Sequence, residues 1–178
     1  MVSPLVAWEN FYVIVGSSAA ALTGLMFVVI ALVAEDRTRS GSREIAAFGT
    51  PTVVHFCSAL LASALVSAPW QSIRNCGVAL SILGVIGVVY TLNVARRARK
   101  QTGYQPVFED WLWHVAFPLC VYAVMIPSAF LMSGSPAGML FWVGGGTLGL
   151  VFIGIHNAWD TVTYVAIERL TRNPPGAE

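Results

Sequence analysis

The stretch Trp111–Trp159, WLWHVAFPLCVYAVMIPSAFLMSGSPAGMLFWVGGGTLGLVFIGIHNAW, runs for 49 residues without an Asp, Glu, Lys or Arg. A helix crossing the hydrocarbon core of a bilayer needs about 20 apolar residues. The run is twice that, and Ser133-Gly134-Ser135-Pro136 punctuates it. Gly and Pro mark turns, so the stretch reads as two spanning helices back to back. Working outward, Asn75–Ala95, Ile45–Ile73 and Asn10–Ala34 are also free of charged residues. The runs are continuous rather than alternating, which argues against a transmembrane barrel. The fold expected is all-α: one polytopic transmembrane domain, residues 1–178. Its five helices fall near 11–34, 51–69, 76–95, 111–132 and 137–159, with a helical tail over 160–172.

Composition agrees. Apolar residues make up 56% of the 178, and only 11% are charged, against about 25% in soluble domains. Too few charges remain to cover a soluble surface. A soluble domain, a disordered tail and a nucleic-acid binder are therefore excluded.

Basic residues set the expected orientation. Arg37, Arg39 and Arg43 follow the first helix, Arg96, Arg97, Arg99 and Lys100 follow the third, and Arg169 and Arg172 lie in the tail. Only Arg74 falls on the other side. Cytoplasmic loops collect Lys and Arg, so the N-terminus is expected outside and the C-terminus inside. Trp8, Trp70 and Trp142 then mark the outer interface, and Trp111, Trp113 and Trp159 the inner one. Arg96–Lys100 could also attract anionic lipid, although topology alone accounts for the cluster. The first helix lacks the basic start of a signal peptide. Ser42–Phe48 is expected as a short interfacial helix, with Thr50-Pro51 restarting the chain as cap and first helical position. Cys57, Cys76 and Cys120 form no spaced pair, and Cys76 is expected near the outer surface.

Small residues recur at four-residue spacing: Gly16, Ala20 and Gly24 in the first helix, Gly145 and Gly149 in the fifth, Gly77 and Ser81 in the third. That spacing lets helix backbones approach closely in lipid, so these are expected packing faces, within one chain or between copies. Five helices are few to enclose a pore, which favours a homo-oligomer. Pro118 and Pro127 are expected to kink the fourth helix. The hairpins from His55 to Gly77 and from His114 to Gly138 have similar lengths, a possible parallel duplication. The last helix is expected to overrun the bilayer, with Ile155, Trp159, Val162, Ala166 and Leu170 on one face.

No charged residue falls in mid-membrane, which weakens the case for a carboxylate-relay pump. The histidines are the exception. His55, His114 and His156 all fall near the inner end of their helices, at closely similar depth by helical rise. Asp110 precedes His114 by four and Asp160 follows His156 by four, which puts each pair on one helix face. Asn93 and Asn157 share the depth. Four readings compete for this layer. They are inert interfacial histidines, a proton-sensing gate, a metal site with His55, His114 and His156 as candidate ligands, and bis-histidine haem. Hydroxyls of Ser17, Ser18 and Thr23, and a stripe His55, Ala59, Ser63 and Ser67, either line a water path or pack back on their own helices.

The opening Trp8-Glu9-Asn10-Phe11 followed by Ala19-Ala20-Ala21-Leu22-Thr23-Gly24-Leu25-Met26-Phe27-Val28 resembles the start of a group of small uncharacterised bacterial integral membrane proteins. The resemblance covers the first helix. It implies a bacterial inner (plasma) membrane setting, carries no assigned activity, and transfers no site residue. Nine Arg against one Lys suits a GC-rich bacterial genome.

The leading functional expectation is a small channel or transporter-like protein. It would pass an ion or small solute as a homo-oligomer in the lipid bilayer, gated at the inner His/Asp layer, with no nucleic-acid partner. The alternative is a non-catalytic regulatory subunit of a larger membrane complex. A metal- or haem-bearing membrane enzyme is third. No cofactor is required by any motif.

Overall fold

The structure is a computed structural model that describes residues 4–35, 42–100 and 107–172. Every element among them is helical. A 3-10 turn, Val6–Trp8, leads into α1, Glu9–Glu35. Then follow α2, Ser42–Ser67, and α3, Ile73–Lys100. Next come α4, Phe108–Trp111, a π-helical turn, Leu112–Ala116, and α5, Phe117–Met125. The chain ends in α6, Ser128–Gly134, and α7, Pro136–Arg172. Arg37, Arg39 and Asn173–Gly176 lie outside the described residues, as do the side chains of Ala166 and Leu170.

Four of these helices are long and apolar enough to cross a membrane: those covering Val6–Ala31, Thr50–Ser67, Ile73–Arg99 and Pro136–Thr163. The expected fourth helix, 111–132, is not one helix but several pieces, and its prolines explain both interruptions. Pro118 has no N–H for the carbonyl of His114. The preceding turn widens to the π register, and Phe117 N–H bonds Leu112 O five residues back. Pro127 ends α5. Ile126 N–H bonds Ala123 O at 3.2 Å, three residues back, while Phe130 and Leu131 both bond the carbonyl of Pro127. The carbonyl of Ile126 then accepts from Ser81 Oγ of α3 at 2.6 Å. A neighbouring hydroxyl thus satisfies a backbone group that proline displaced.

Pro51 behaves differently from expectation. It lies inside α2 rather than restarting the chain. The helix absorbs one missing backbone donor, and Pro51 is buried. At the other break Ser135 leaves the helical region and Met139 N–H bonds its carbonyl, with Pro136 first in α7.

α2 packs against α1 and α7, and α3 lies along α5 and α6. These contacts run through glycine. Gly16 of α1 meets Ser63 of α2, where an added Cβ would come 2.9 Å from Ser63 Cβ. Gly77 of α3 faces the backbone of Ser128, Gly87 faces the ring of Tyr122, and Gly154 of α7 seats the ring of Phe56. Gly149 is in ordinary contact with Val121, whose Cγ2 would lie 3.5 Å from an added Cβ. Among the described residues, nothing lies within 4 Å of an added Cβ at Gly24 or Gly145, and Ala20 is exposed. Three of the seven expected small-residue positions are therefore left uncovered by the described residues of this bundle. Cys76 is fully buried, its thiol toward Leu65 O, rather than lying open at the surface.

The distribution of polarity is that of a protein in lipid. Large apolar side chains face outward over most of the surface, among them Ile14, Leu25, Phe27, Ile86, Phe130 and Phe152. Water-soluble monomers rarely expose such continuous apolar area. His55, Ser58, Ser63, Thr91, Ser128, Thr147 and Asn157 are instead buried inside.

Candidate functional site

The end of the bundle carrying Arg96, Arg97 and Arg99 is here called the basic end. The polar groups of interest start there and run inward. At the surface, His156 of α7 places Nε2 3.2 Å from Asp160 Oδ2 and 4.0 Å from Glu109 Oε1. These are ion-pair distances; Nε2 lacks the angle of a hydrogen bond to Asp160, and Glu109 is too far away for one. The ring of His156 stacks on Trp113 with centroids 3.8 Å apart and planes 20° apart. Trp113 is held edge-on by Phe117 at 5.0 Å. The imidazole is thus gripped by an aromatic face and bordered by two carboxylates.

His114 sits in the π turn. Its Nδ1 is 3.2 Å from the main-chain carbonyl of Asp110. A carbonyl only accepts, so Nδ1 carries the proton and Nε2 of the neutral ring is free to accept. The expected partner was the Asp110 carboxylate. Oδ2 of that group takes the N–H of Val107 at 3.0 Å and caps α4, because the start of a four-residue helix leaves unpaired N–H groups close by, and its charge still reaches His114. His114 lies within electrostatic reach of His156, Asp160 and His55.

His55 is the deepest of the three, 1% exposed. Its Nδ1 is 3.1 Å from the hydroxyl of Tyr122 on α5, and that hydroxyl donates to Ser58 Oγ at 3.0 Å. A phenol that gives its one proton to Ser58 accepts from His55, the arrangement that puts the ring proton on Nδ1 and leaves Nε2 as a bare acceptor. Tyr122 is itself completely buried.

The structure thus pairs His156 with Asp160, joins His55 to Tyr122, and leaves His114 within electrostatic reach of His55, His156, Asp160 and Asp110. Asn157, 1% exposed, lies next to His156 on α7, and neither amide atom makes a hydrogen bond among the described residues. Asn93 is not part of this set. It is exposed and accepts a long 3.5 Å contact from Arg96. Glu109, Tyr122 and Ser58 also belong here but were not singled out from sequence, and Trp113, expected only as part of the inner aromatic belt, stacks on His156. Ser58 follows His55 by three, a helical neighbour that spacing could have found. Tyr122 lies within an apolar run, and nothing local marks it.

Among the described residues no group of three or more His, Cys, Asp and Glu is placed to hold a metal ion. The three histidines form a succession rather than a shell, each ring engaged with a different neighbour. Farther from the basic end, Ser63 Oγ, Tyr12 Oη and Ser128 Oγ are buried and make no hydrogen bond among the described residues. No protein family, no curated protein and no solved structure matches this chain.

Proposed function

We propose that this chain is a bacterial inner-membrane protein that passes protons through the interior of its helix bundle. Five crossings are read, four by α1, α2, α3 and α7 and one by the broken segment Phe108–Gly134, which runs beside α3. The N-terminus lies outside and the C-terminus inside, so that the basic end faces the cytoplasm. The observation that carries the reading is the succession of titratable side chains from Glu109 and Asp160 through His156 and His114 to His55, Tyr122 and Ser58. Such a succession inside an apolar bundle is costly unless it is used.

The species follows from packing. Tyr12, Phe56, Leu80, Tyr122, Met125 and Leu150 fill the interior. A hydrated ion needs an open lumen, and a proton needs only neighbouring groups that both accept and donate. Imidazole does both near neutral pH. His156 between two carboxylates is the entry, and the His55–Tyr122–Ser58 group is the inner station. The buried hydroxyls of Ser63, Tyr12 and Ser128 lie farther toward the outer end.

Purified protein in liposomes loaded with a pH-sensitive dye tests this. A pH step outside should be followed by dye response faster than in empty liposomes, and His55→Phe should return it to the empty-liposome rate. Equal rates for wild type and empty liposomes would refute the proposal.

A second reading, association with another copy or another membrane subunit, is favoured by one specific observation. Ala20, Gly24 and Gly145 are small residues at close-packing spacing with no partner helix over them among the described residues. The two readings are compatible, with each protomer of an oligomer carrying its own path.

A further inference from the structure

Three polar atoms on two side chains, one on α2 and one on α7, are buried without a hydrogen-bond partner among the described residues: Nε2 of His55 and both Nδ2 and Oδ1 of Asn157. The helices are in close contact, and Phe56 of α2 seats on Gly154 of α7. α2 leaves the basic end and α7 returns to it. Asn157 therefore lies one helical turn closer to the basic end than Gly154, level with the turn of α2 that carries Thr52 to His55. His55 adjoins Phe56 and has its other nitrogen committed to Tyr122. The unpaired atoms thus fall at one level of one helix pair.

Leaving these groups dry is expensive. A buried amide or imidazole with no partner costs on the order of 1–3 kcal/mol, and leucine, branched at the same carbon, would offer the Asn157 position an apolar side chain with no such cost. A direct bond from Asn157 Nδ2 to His55 Nε2 would satisfy two atoms and strand Oδ1. The hydrogen-bond inventory asks instead for one partner that donates twice, to Nε2 and Oδ1, and accepts once, from Nδ2. Buried waters make about three hydrogen bonds of this kind.

We propose that His55 and Asn157 form a binding site for a single water molecule, with Asn157 the residue that orients it. The site rests on packing and hydrogen-bond accounting, and stands whether or not protons cross the bundle. Its chemistry is specific. The ligand is neutral and must be both donor and acceptor at one small centre, so a bare metal ion, which only takes lone pairs, leaves the Asn157 amide protons unsatisfied. The bound water would also present His55 Nε2 with its nearest proton donor, on the side of the ring opposite Tyr122.

Solid-state NMR of histidine-labelled protein in bilayers tests this with a readout independent of transport. For wild type, Nε2 of His55 is expected at the shift of an unprotonated, hydrogen-bonded imidazole nitrogen, and polarisation from water protons should reach it at short mixing times. In Asn157→Leu that transfer should be lost while the Nδ1–H signal bonded to Tyr122 persists. The wild-type spectrum decides alone if that variant does not fold. A protonated Nε2, no water transfer in wild type, a direct coupling between Nε2 and Asn157 Nδ2, or unchanged transfer in Asn157→Leu would each overturn the proposal.

Discussion

Replacing Tyr122 by Phe removes one oxygen and two hydrogen bonds, 3.1 Å to His55 Nδ1 and 3.0 Å to Ser58 Oγ. The two partners are not equally harmed. Ser58 sits within α2 and can turn its hydroxyl to a carbonyl of its own helix, as Thr91, Thr147 and Thr161 do elsewhere in the bundle. His55 has no such option, because its ring is buried and its Nδ1–H points where the phenol was. A buried donor left unpaired costs about 1–3 kcal/mol, whereas interhelical hydrogen bonds in membrane proteins average about 0.6 and reach about 1.7 kcal/mol. The expected loss for Tyr122→Phe is therefore about 1–2 kcal/mol. His55→Phe should cost less on this account, since Tyr122 keeps Ser58. The double variant should cost less than the sum of the two, with a coupling on the order of 1 kcal/mol. Unfolding in mixed micelles of mild and denaturing detergent measures all three. A Tyr122→Phe cost within about 0.3 kcal/mol of wild type, or strict additivity in the cycle, would show that the contact contributes nothing.

Gly77→Ala should destabilise by about 1–3 kcal/mol, because the new Cβ meets the backbone of Ser128, which has no side-chain rotamer to yield; the same unfolding assay checks it. Gly24→Ala should be neutral or stabilising by up to about 1 kcal/mol, since its surroundings are open and alanine favours the helix. Gly145→Leu and Ala20→Leu should leave the fold of a single chain intact, as measured by thermal stability in detergent, and lower the mass of any oligomer in light scattering. A cysteine placed at exposed Ser72, with the native cysteines replaced, should react with an impermeant thiol reagent from outside the cell; Cys76 is too deeply buried to report. Reaction only after lysis would invert the proposed orientation.

The sequence carried the helical architecture because charge-free runs of spanning length have few alternatives in lipid. It carried the boundary at Ser135-Pro136 for the same reason that Gly and Pro punctuate any helix. What it did not carry was context. Pro51 and Pro127 look alike in the sequence, but one stays within its helix and the other ends it. The second outcome is supported by Ser81, 45 positions away in the chain, which takes up the displaced carbonyl of Ile126. The glycine pattern showed a similar limit. Spacing flagged Gly16 and Gly145 alike, but only the fold reveals that Ser63 covers the first and no described residue covers the second. The buried contacts at Gly84, Gly87 and Gly154 follow no four-residue repeat, because each matches a particular ring or backbone on another helix.

In the candidate site, the placement of the three histidines toward one end of their helices was legible because helical rise converts position into depth, while their graded burial, from half-buried His156 to fully buried His55, was not. Their partners were not. His114 pairs with a main-chain carbonyl, which every residue has, and His55 pairs with Tyr122, 67 positions away. Asp110 was read as a partner for His114 because the two share a helix face. Its carboxylate also accepts from the Val107 N–H and caps α4, a role that the four-residue spacing does not show.

The measurement that bears most directly on the proposed function is the reversal potential of current through the purified protein in a planar bilayer under a pH gradient. If His156, His114, His55 and Tyr122 carry protons, the reversal potential should follow the proton gradient by about 59 mV per pH unit. It should ignore gradients of sodium, potassium and chloride, and the current should vanish in His55→Phe. A reversal potential that follows the salt gradient, or no current above that of the bare bilayer, would contradict the account.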